Sequence, residues 1–254
     1  MIAPPRVGCV KYLNARPLIH DWSGPVDFDH PAALCRKLAD GELDVALVSS
    51  FEYLRNPIYS IVDDVAIAAD GAVYSVFVAS KTPLADVEEV TLDPASGTSG
   101  NLLRCLLAER DLQPRLITSL PNESSKAGRL LIGDQAIRFR KQHGCEYEFW
   151  DLAGEWKRLT NLPFVFALWL IRPDVGETGR IANALRRQRD ANLAALDEVI
   201  AGETEFSPEF CAQYFHDYLR FGFGAREKEG LLLFRALCEK HGILPQNESP
   251  LRLV

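Results

Sequence analysis

Long hydrophobic runs are missing from this chain. The longest, Leu162 to Ile171, contains Pro163 and is far shorter than the roughly 20 apolar residues that span a bilayer, so no membrane partner is predicted. The segment Met1 to Arg6 has no positive stretch leading into an apolar one, so a secretory leader is not expected and the predicted location is the cytoplasm. Basic runs are missing as well. The net charge is −7, which argues against nucleic acid as a partner. Arg186, Arg187 and Arg189 cluster on one predicted helix among acidic residues and read as a solvated face. The six cysteines include no CxxC pair and the five histidines no HExxH, so no metal site is predicted. The segment Ser96-Gly-Thr-Ser-Gly100 is neither a GxxxxGK[ST] phosphate loop nor a GxGxxG dinucleotide loop, and no cofactor is expected from it. Ser49 and Ser50 have no neighbouring histidine in sequence, and no nucleophile–base pair can be read from one chain.

What is present is a globular composition, 47% apolar over 254 residues, enough for one large domain or two small ones with their own cores. Asp44-Val-Ala-Leu-Val-Ser-Ser50 and Arg129-Leu-Leu-Ile-Gly-Asp134 are short apolar runs that stop at small polar residues. Such runs read as buried strands of a parallel sheet, and in open α/β sheets ligands sit at the carboxyl ends of the strands. Around them the chain alternates. Arg6 to Val10 and Val26 to Phe28 read as strands; Asn14 reads as the cap of a helix, Pro31 opens another, and Gly41 ends it. Ile61 to Ala69, Val73 to Ala79 and Phe164 to Ile171 are extended and apolar, while Thr178 to Ala201 and Arg226 to His241 carry helical apolar faces. The pattern predicts an α/β protein of two lobes with a ligand cleft between them. Residues 1–82 plus 173–254 form one lobe, and 83–172 are inserted as the other.

Converging strand ends would bring Tyr12, Asn14, Ser49, Ser50, Thr98, Ser99 and Asp134 to this cleft, with Ser75 on a hinge strand. Positions 14, 49–50 and 98–99 coincide with predicted helix starts, where N–H groups and the helix dipole favour anions without any Arg or Lys. Two readings stand side by side. Each of these residues can be an ordinary cap, or the set can hold a small anionic ligand. From the residues alone the function stops there.

The ordered motifs go further. Val10-Lys-Tyr-Leu-Asn14 with Pro17-Leu18, residues 41–56 (GELDVALVSSFEYLRN), Val73-Tyr-Ser-Val76, SGTS at 96–99, LLIGDQAI at 130–137, Trp150 to Trp156, Thr160 to Ala167 and Glu229 to Phe234 follow one another along nearly the whole chain. Together they resemble the chorismate dehydratases of the futalosine route to menaquinone. The resemblance implies the type II periplasmic-binding-protein fold, chorismate as small-molecule partner, no cofactor, and a monomer or homodimer. A sibling enzyme of that route, which makes 1,4-dihydroxy-6-naphthoate, carries a catalytic histidine where this chain has Gly133. A glycine cannot act as a base, so the sibling reading is disfavoured. A binding protein without catalysis is the remaining alternative. Lys11 departs from the family pattern, as does the polar stretch Pro121 to Gly128.

The implied reaction removes water from chorismate and gives 3-[(1-carboxyvinyl)oxy]benzoate. Asn14 is implied as the catalytic polar group beside the leaving hydroxyl. Asp134, or the substrate's own enolpyruvyl carboxylate, is implied as the base. Tyr12, Ser49, Ser50, Ser75, Thr98, Ser99 and Gly133 are the expected substrate contacts, the carboxylates falling on Ser49/Ser50 and Thr98/Ser99.

Overall fold

The computed structural model describes residues 4–93, 97–118 and 124–254. Met1 to Ala3, Ser96 of the Ser96–Gly100 segment and residues 121–123 of the polar stretch before Arg129 lie outside the described residues.

Among the described residues, two five-stranded sheets carry the fold. The first is built from β1 (Val7–Cys9), β2 (Val26–Phe28), β3 (Val45–Ser49) and β4 (Ser60–Ala69). The chain then crosses to the second sheet, formed by β5 (Val76–Ser80), β6 (Glu89–Thr91), β7 (Arg115–Ile117), β8 (Ala127–Ile132) and β9 (Glu148–Asp151), and returns to the first as β10 (Phe164–Ile171). The orders are β2-β1-β3-β10-β4 and β7-β6-β8-β5-β9. In the first sheet β1 runs parallel to β2 and β3, and β10 lies antiparallel between β3 and β4. In the second, β6 is parallel to β7 and β8, and β5 lies antiparallel between β8 and β9. Val45 to Val48 of β3 are all buried. A strand paired on both edges inside a covered sheet has no solvent face, hence an apolar run without alternation.

The sheets do not follow the division expected at 83–172. Strand β5, inside segment 1–82, runs in the second sheet, and β10, inside segment 83–172, runs in the first. The apolar run Phe164 to Ile171 fills the slot between β3 and β4, where each open edge needs a partner. The connections between sheets are therefore 70–75 and 161–163. The first is pinned by Asp151, whose carboxylate caps the helix Leu152–Thr160 through Gly154 N (2.9 Å) and also accepts from Val73 N (3.0 Å) and Tyr74 N (2.8 Å). Tyr74 there has φ 68°, a left-handed conformation that a bulky residue adopts only where its surroundings impose it.

The C-terminal helix Ala225–Lys240 ties both segments together. Phe234 meets Phe164 at 5.0 Å and Phe51 at 6.3 Å between ring centroids, and Phe164 meets Trp156 at 5.3 Å. Gly230 allows the approach, because a Cβ there would collide with the Pro163 carbonyl. Two expectations are corrected in this half. The helix predicted over Thr178 to Ala201 breaks at Ala195 into Thr178–Ala194 and Leu196–Ala201. Its arginines are not a solvated face throughout. Arg189 is buried and donates to Asp64 Oδ2 (2.8 Å) and to Phe221 O (3.1 Å), tying the helix to the middle of β4 and to the segment after Tyr218.

Candidate active site

A cleft between the sheets, about 640 Å³ of space partly continuous with solvent, is lined by Val10, Tyr12, Asn14, Val48, Ser49 and Phe166 on the first-sheet side. Val73, Ser75, Gly97, Thr98, Ser99, Ile132 and Gly133 face them. Among the described residues that line it, none is charged. An anion here must be held by N–H and O–H groups.

Asn14 does not cap a helix. It lies inside the single 3-10 turn Leu13–Ala15, which is followed by the short helix Arg16–Ile19, and neither start has a side-chain cap bond. The turn presents the amide to the cleft. Its Oδ1 is buried and has no hydrogen-bond partner among the described residues. A buried acceptor left unpaired costs about 1–3 kcal/mol, so this position carries a penalty that a bound donor would relieve.

Elsewhere at the cleft the hydroxyls of Ser49, Ser50 and Thr98 are paired. Ser50 is buried and its hydroxyl donates to Val165 O at 2.7 Å. It does not reach the cleft surface, which corrects its expected role as a substrate contact. Thr98 Oγ1 donates to Phe166 O at 3.1 Å and accepts from Phe51 N at 3.3 Å. A carbonyl can only accept, so the single Thr98 proton goes to Phe166 and the short contact to Ser49 is donated by Ser49. Both hydroxyl protons are then used between the strand ends, and what remains for a ligand is Ser99 and the first-turn N–H groups of the helix Gly97–Ala108.

Asp134 is also displaced from its expected place. It is absent from the cleft lining, and its Oδ1 accepts from Leu13 N at 2.9 Å, bridging the two sides next to Asn14. Burial pushes its pKa up to about 6, against the lowering effect of the Leu13 N–H. Its neighbour Gly133 has φ +60°, and a Cβ there would stand 3.2 Å from the Tyr12 ring. Burial pushes the Tyr12 hydroxyl up to about 12, helped by Asp93 and Asp134, so it remains a proton donor at neutral pH.

Ser75 has no solvent exposure yet lines the cleft. Its carbonyl accepts from Gly133 N at 2.9 Å, and its hydroxyl accepts from Tyr214 OH at 2.7 Å. Tyr214 was not legible as part of the site. Its spacing with Phe210 and Tyr218 marks an aromatic helical face, but 139 residues separate it from Ser75. The Val165 and Phe166 carbonyls and the Leu13 N–H are likewise main-chain groups without any sequence signal.

A family described as menaquinone biosynthesis matches this chain over residues 5–240. The chain belongs to that family. A curated relative, the chorismate dehydratase of Thermus thermophilus, is 34% identical over 218 residues, covering 78% of this chain and 80% of the relative. Among solved structures, a protein from Archaeoglobus fulgidus superposes with a TM-score of 0.76 at 19% identity, over 94% of this chain and 98% of that one. A Candida albicans gene product described as having the generic periplasmic binding protein fold superposes with a TM-score of 0.63 at 11% identity, covering 97% and 92%. The periplasmic-binding-protein fold is thus the architecture on which this menaquinone-biosynthesis family member builds its cleft. Among the described residues no helix is long and apolar enough to cross a membrane.

Proposed function

We propose that this protein is a chorismate dehydratase, a hydro-lyase that removes water from chorismate to give 3-[(1-carboxyvinyl)oxy]benzoate. The observation that carries the reading is the buried, unpartnered Asn14 amide oxygen in an uncharged cleft, in a chain 34% identical to a chorismate dehydratase. The lobes follow sheet membership and hinge at 70–75 and 161–163.

Chorismate is a dianion with a ring hydroxyl. Its carboxylates fit the Ser99 hydroxyl and the N–H groups at the start of the Gly97–Ala108 helix. Asn14 stands where one amide both accepts from and donates to the leaving hydroxyl. The elimination takes one carbon-bound proton and one hydroxide from neighbouring ring carbons, and the ring becomes aromatic. The substrate's enolpyruvyl carboxylate takes the proton, because a group already attached to the reacting ring has a large effective-molarity advantage. The bond that Leu13 N donates to Asp134 Oδ1 supports this choice: one oxygen of that carboxylate is engaged as a latch between the sides, and Asp134 is absent from the cleft lining. The sibling naphthoate synthase reading finds no support at position 133, where any side chain would press on the Tyr12 ring.

Purified protein incubated with chorismate and a chelator should consume it and release a product lighter by one water, read by mass spectrometry. Binding without product would leave a non-catalytic binding protein, and absence of binding would end the assignment. A chorismate analogue lacking the enolpyruvyl carboxylate should give no turnover at saturation. Rapid turnover of that analogue would move the base to the protein.

A further inference from the structure

We propose that Tyr214 is a positioning residue that sets the Ser75 hydroxyl as a proton donor into the cleft, so that the C-terminal helical segment takes part in substrate binding. The inference rests on the reading of this cleft as the chorismate site and adds a residue to it.

Ser75 is held on two sides. Its carbonyl is taken by Gly133 N at 2.9 Å, and its Oγ receives the Tyr214 hydroxyl at 2.7 Å. A serine hydroxyl has one proton and two lone pairs. With Tyr214 donating into a lone pair, the Ser75 proton is left for an acceptor other than Tyr214, and Ser75 lies in the cleft lining beside Val73, Val76 and Ile132. The bond thus fixes direction as well as position. In the absence of the tyrosine hydroxyl, Ser75 could rotate to donate elsewhere and would meet an anionic ligand in the wrong orientation.

The surroundings of Tyr214 are rigid enough to do this. It is fully buried and opens the five-residue π-helical turn Tyr214–Tyr218, a geometry frequent at functional positions. Its ring stacks on Phe210 at 5.7 Å with 11° between planes. Phe210 and Tyr218 in turn each hold the Tyr74 ring at 5.3 Å, and the Arg140 guanidinium lies 4.4 Å from the centre of the same ring. The left-handed residue before Ser75 and the tyrosine that orders Ser75 therefore belong to one aromatic cluster. Burial raises the Tyr214 pKa, which keeps its hydroxyl protonated and donating across the working range. The residue touches no ligand-facing space itself and acts through Ser75.

The test uses Tyr214→Phe, which keeps the ring and removes only the hydroxyl, with Ser75→Ala and the double variant in the full chain. KM for chorismate should rise about tenfold in Tyr214→Phe, the loss of one oriented hydrogen bond to a charged group. The fall in kcat should be smaller. In the Ser75→Ala background the same change should add little further, because its effect runs through Ser75. Crystal structures of wild type and Tyr214→Phe should show the Ser75 hydroxyl in different rotamers. An unmoved Ser75 rotamer, an unchanged KM, or a KM loss that is fully additive with Ser75→Ala overturns the proposal. If wild type neither binds nor converts chorismate, the functional reading fails instead, and the rotamer comparison alone decides the role of Tyr214.

Discussion

Two regions of the cleft carry similar residues in opposite states. Around Ser49 and Thr98, the hydroxyls of Ser49, Ser50 and Thr98 are joined to one another and to the Val165 and Phe166 carbonyls. At Asn14, an amide oxygen is buried with no partner among the described residues. Small polar side chains at strand ends look alike in sequence, yet one set closes the structure and the other leaves hydrogen-bonding capacity open. Of the buried side-chain atoms left without a partner among the described residues, the Asn14 oxygen is the one whose residue lines the cleft. Asp134 and Asn14 repeat the contrast at closer range, since the carboxylate is bonded to Leu13 N and the amide one residue along the turn is not.

Substitutions in the two regions should therefore behave in opposite ways. The largest effect is expected from Asn14→Ala, which should lower kcat by a factor on the order of 10², as for loss of one preorganised transition-state donor. The melting temperature should hold or rise, because no cap is lost and an unpaired buried acceptor disappears. A large fall in Tm with normal kcat would place Asn14 with the structural set.

Thr98→Val should do the reverse. It removes the bond to Phe166 O and the acceptor for Phe51 N and Ser49, and urea unfolding should show a loss of about 2 kcal/mol. The effect on kcat should stay well below that of Asn14→Ala. Gly133→Ala is expected next in size. It forces a side chain into a φ of +60° against the Tyr12 ring, at about 1 kcal/mol for the conformation, and should raise KM by moving Tyr12.

The smallest effect is expected from Asp134→Asn, whose amide oxygen can still accept from Leu13 N. The folded-state pKa of Asp134 is raised to about 6 from 3.8 by burial. A raised pKa means that folding takes up a proton, so this group's stabilisation is fully present below about pH 4 and lost as pH rises through about 6. Asp134→Asn should flatten the wild-type stability profile between those limits and leave kcat within a few-fold. Near-complete loss of kcat, with substrate affinity kept, would make Asp134 the base.

The same contrast explains what could be read without coordinates. The strand at Val45–Ser49 was legible because burial on both edges and faces removes alternation, and the strand at Ala127–Ile132 by a similar apolar stretch. The location of Asn14 near the cleft was legible, but its state was not, since a 3-10 turn and a capped helix start differ by local geometry that the same residues allow. The place of β10 in the first sheet was missed because an apolar strand does not announce its partners. Ser50 and Asp134 were set at the right strand ends and pointed the wrong way. Their actual partners, Val165 O and Leu13 N, are main-chain groups that any residue would supply.

On the proposed reading, the Asn14 amide holds the leaving hydroxyl of chorismate in this cleft. This is tested most directly by the crystal structure of Asn14→Ala soaked with chorismate. Intact chorismate should occupy the cleft, its carboxylates toward Ser99 and the Gly97–Ala108 helix start, and its ring hydroxyl beside the space vacated by the amide. Fully formed product in the cleft of that variant, or a ring hydroxyl turned away from position 14, would contradict it.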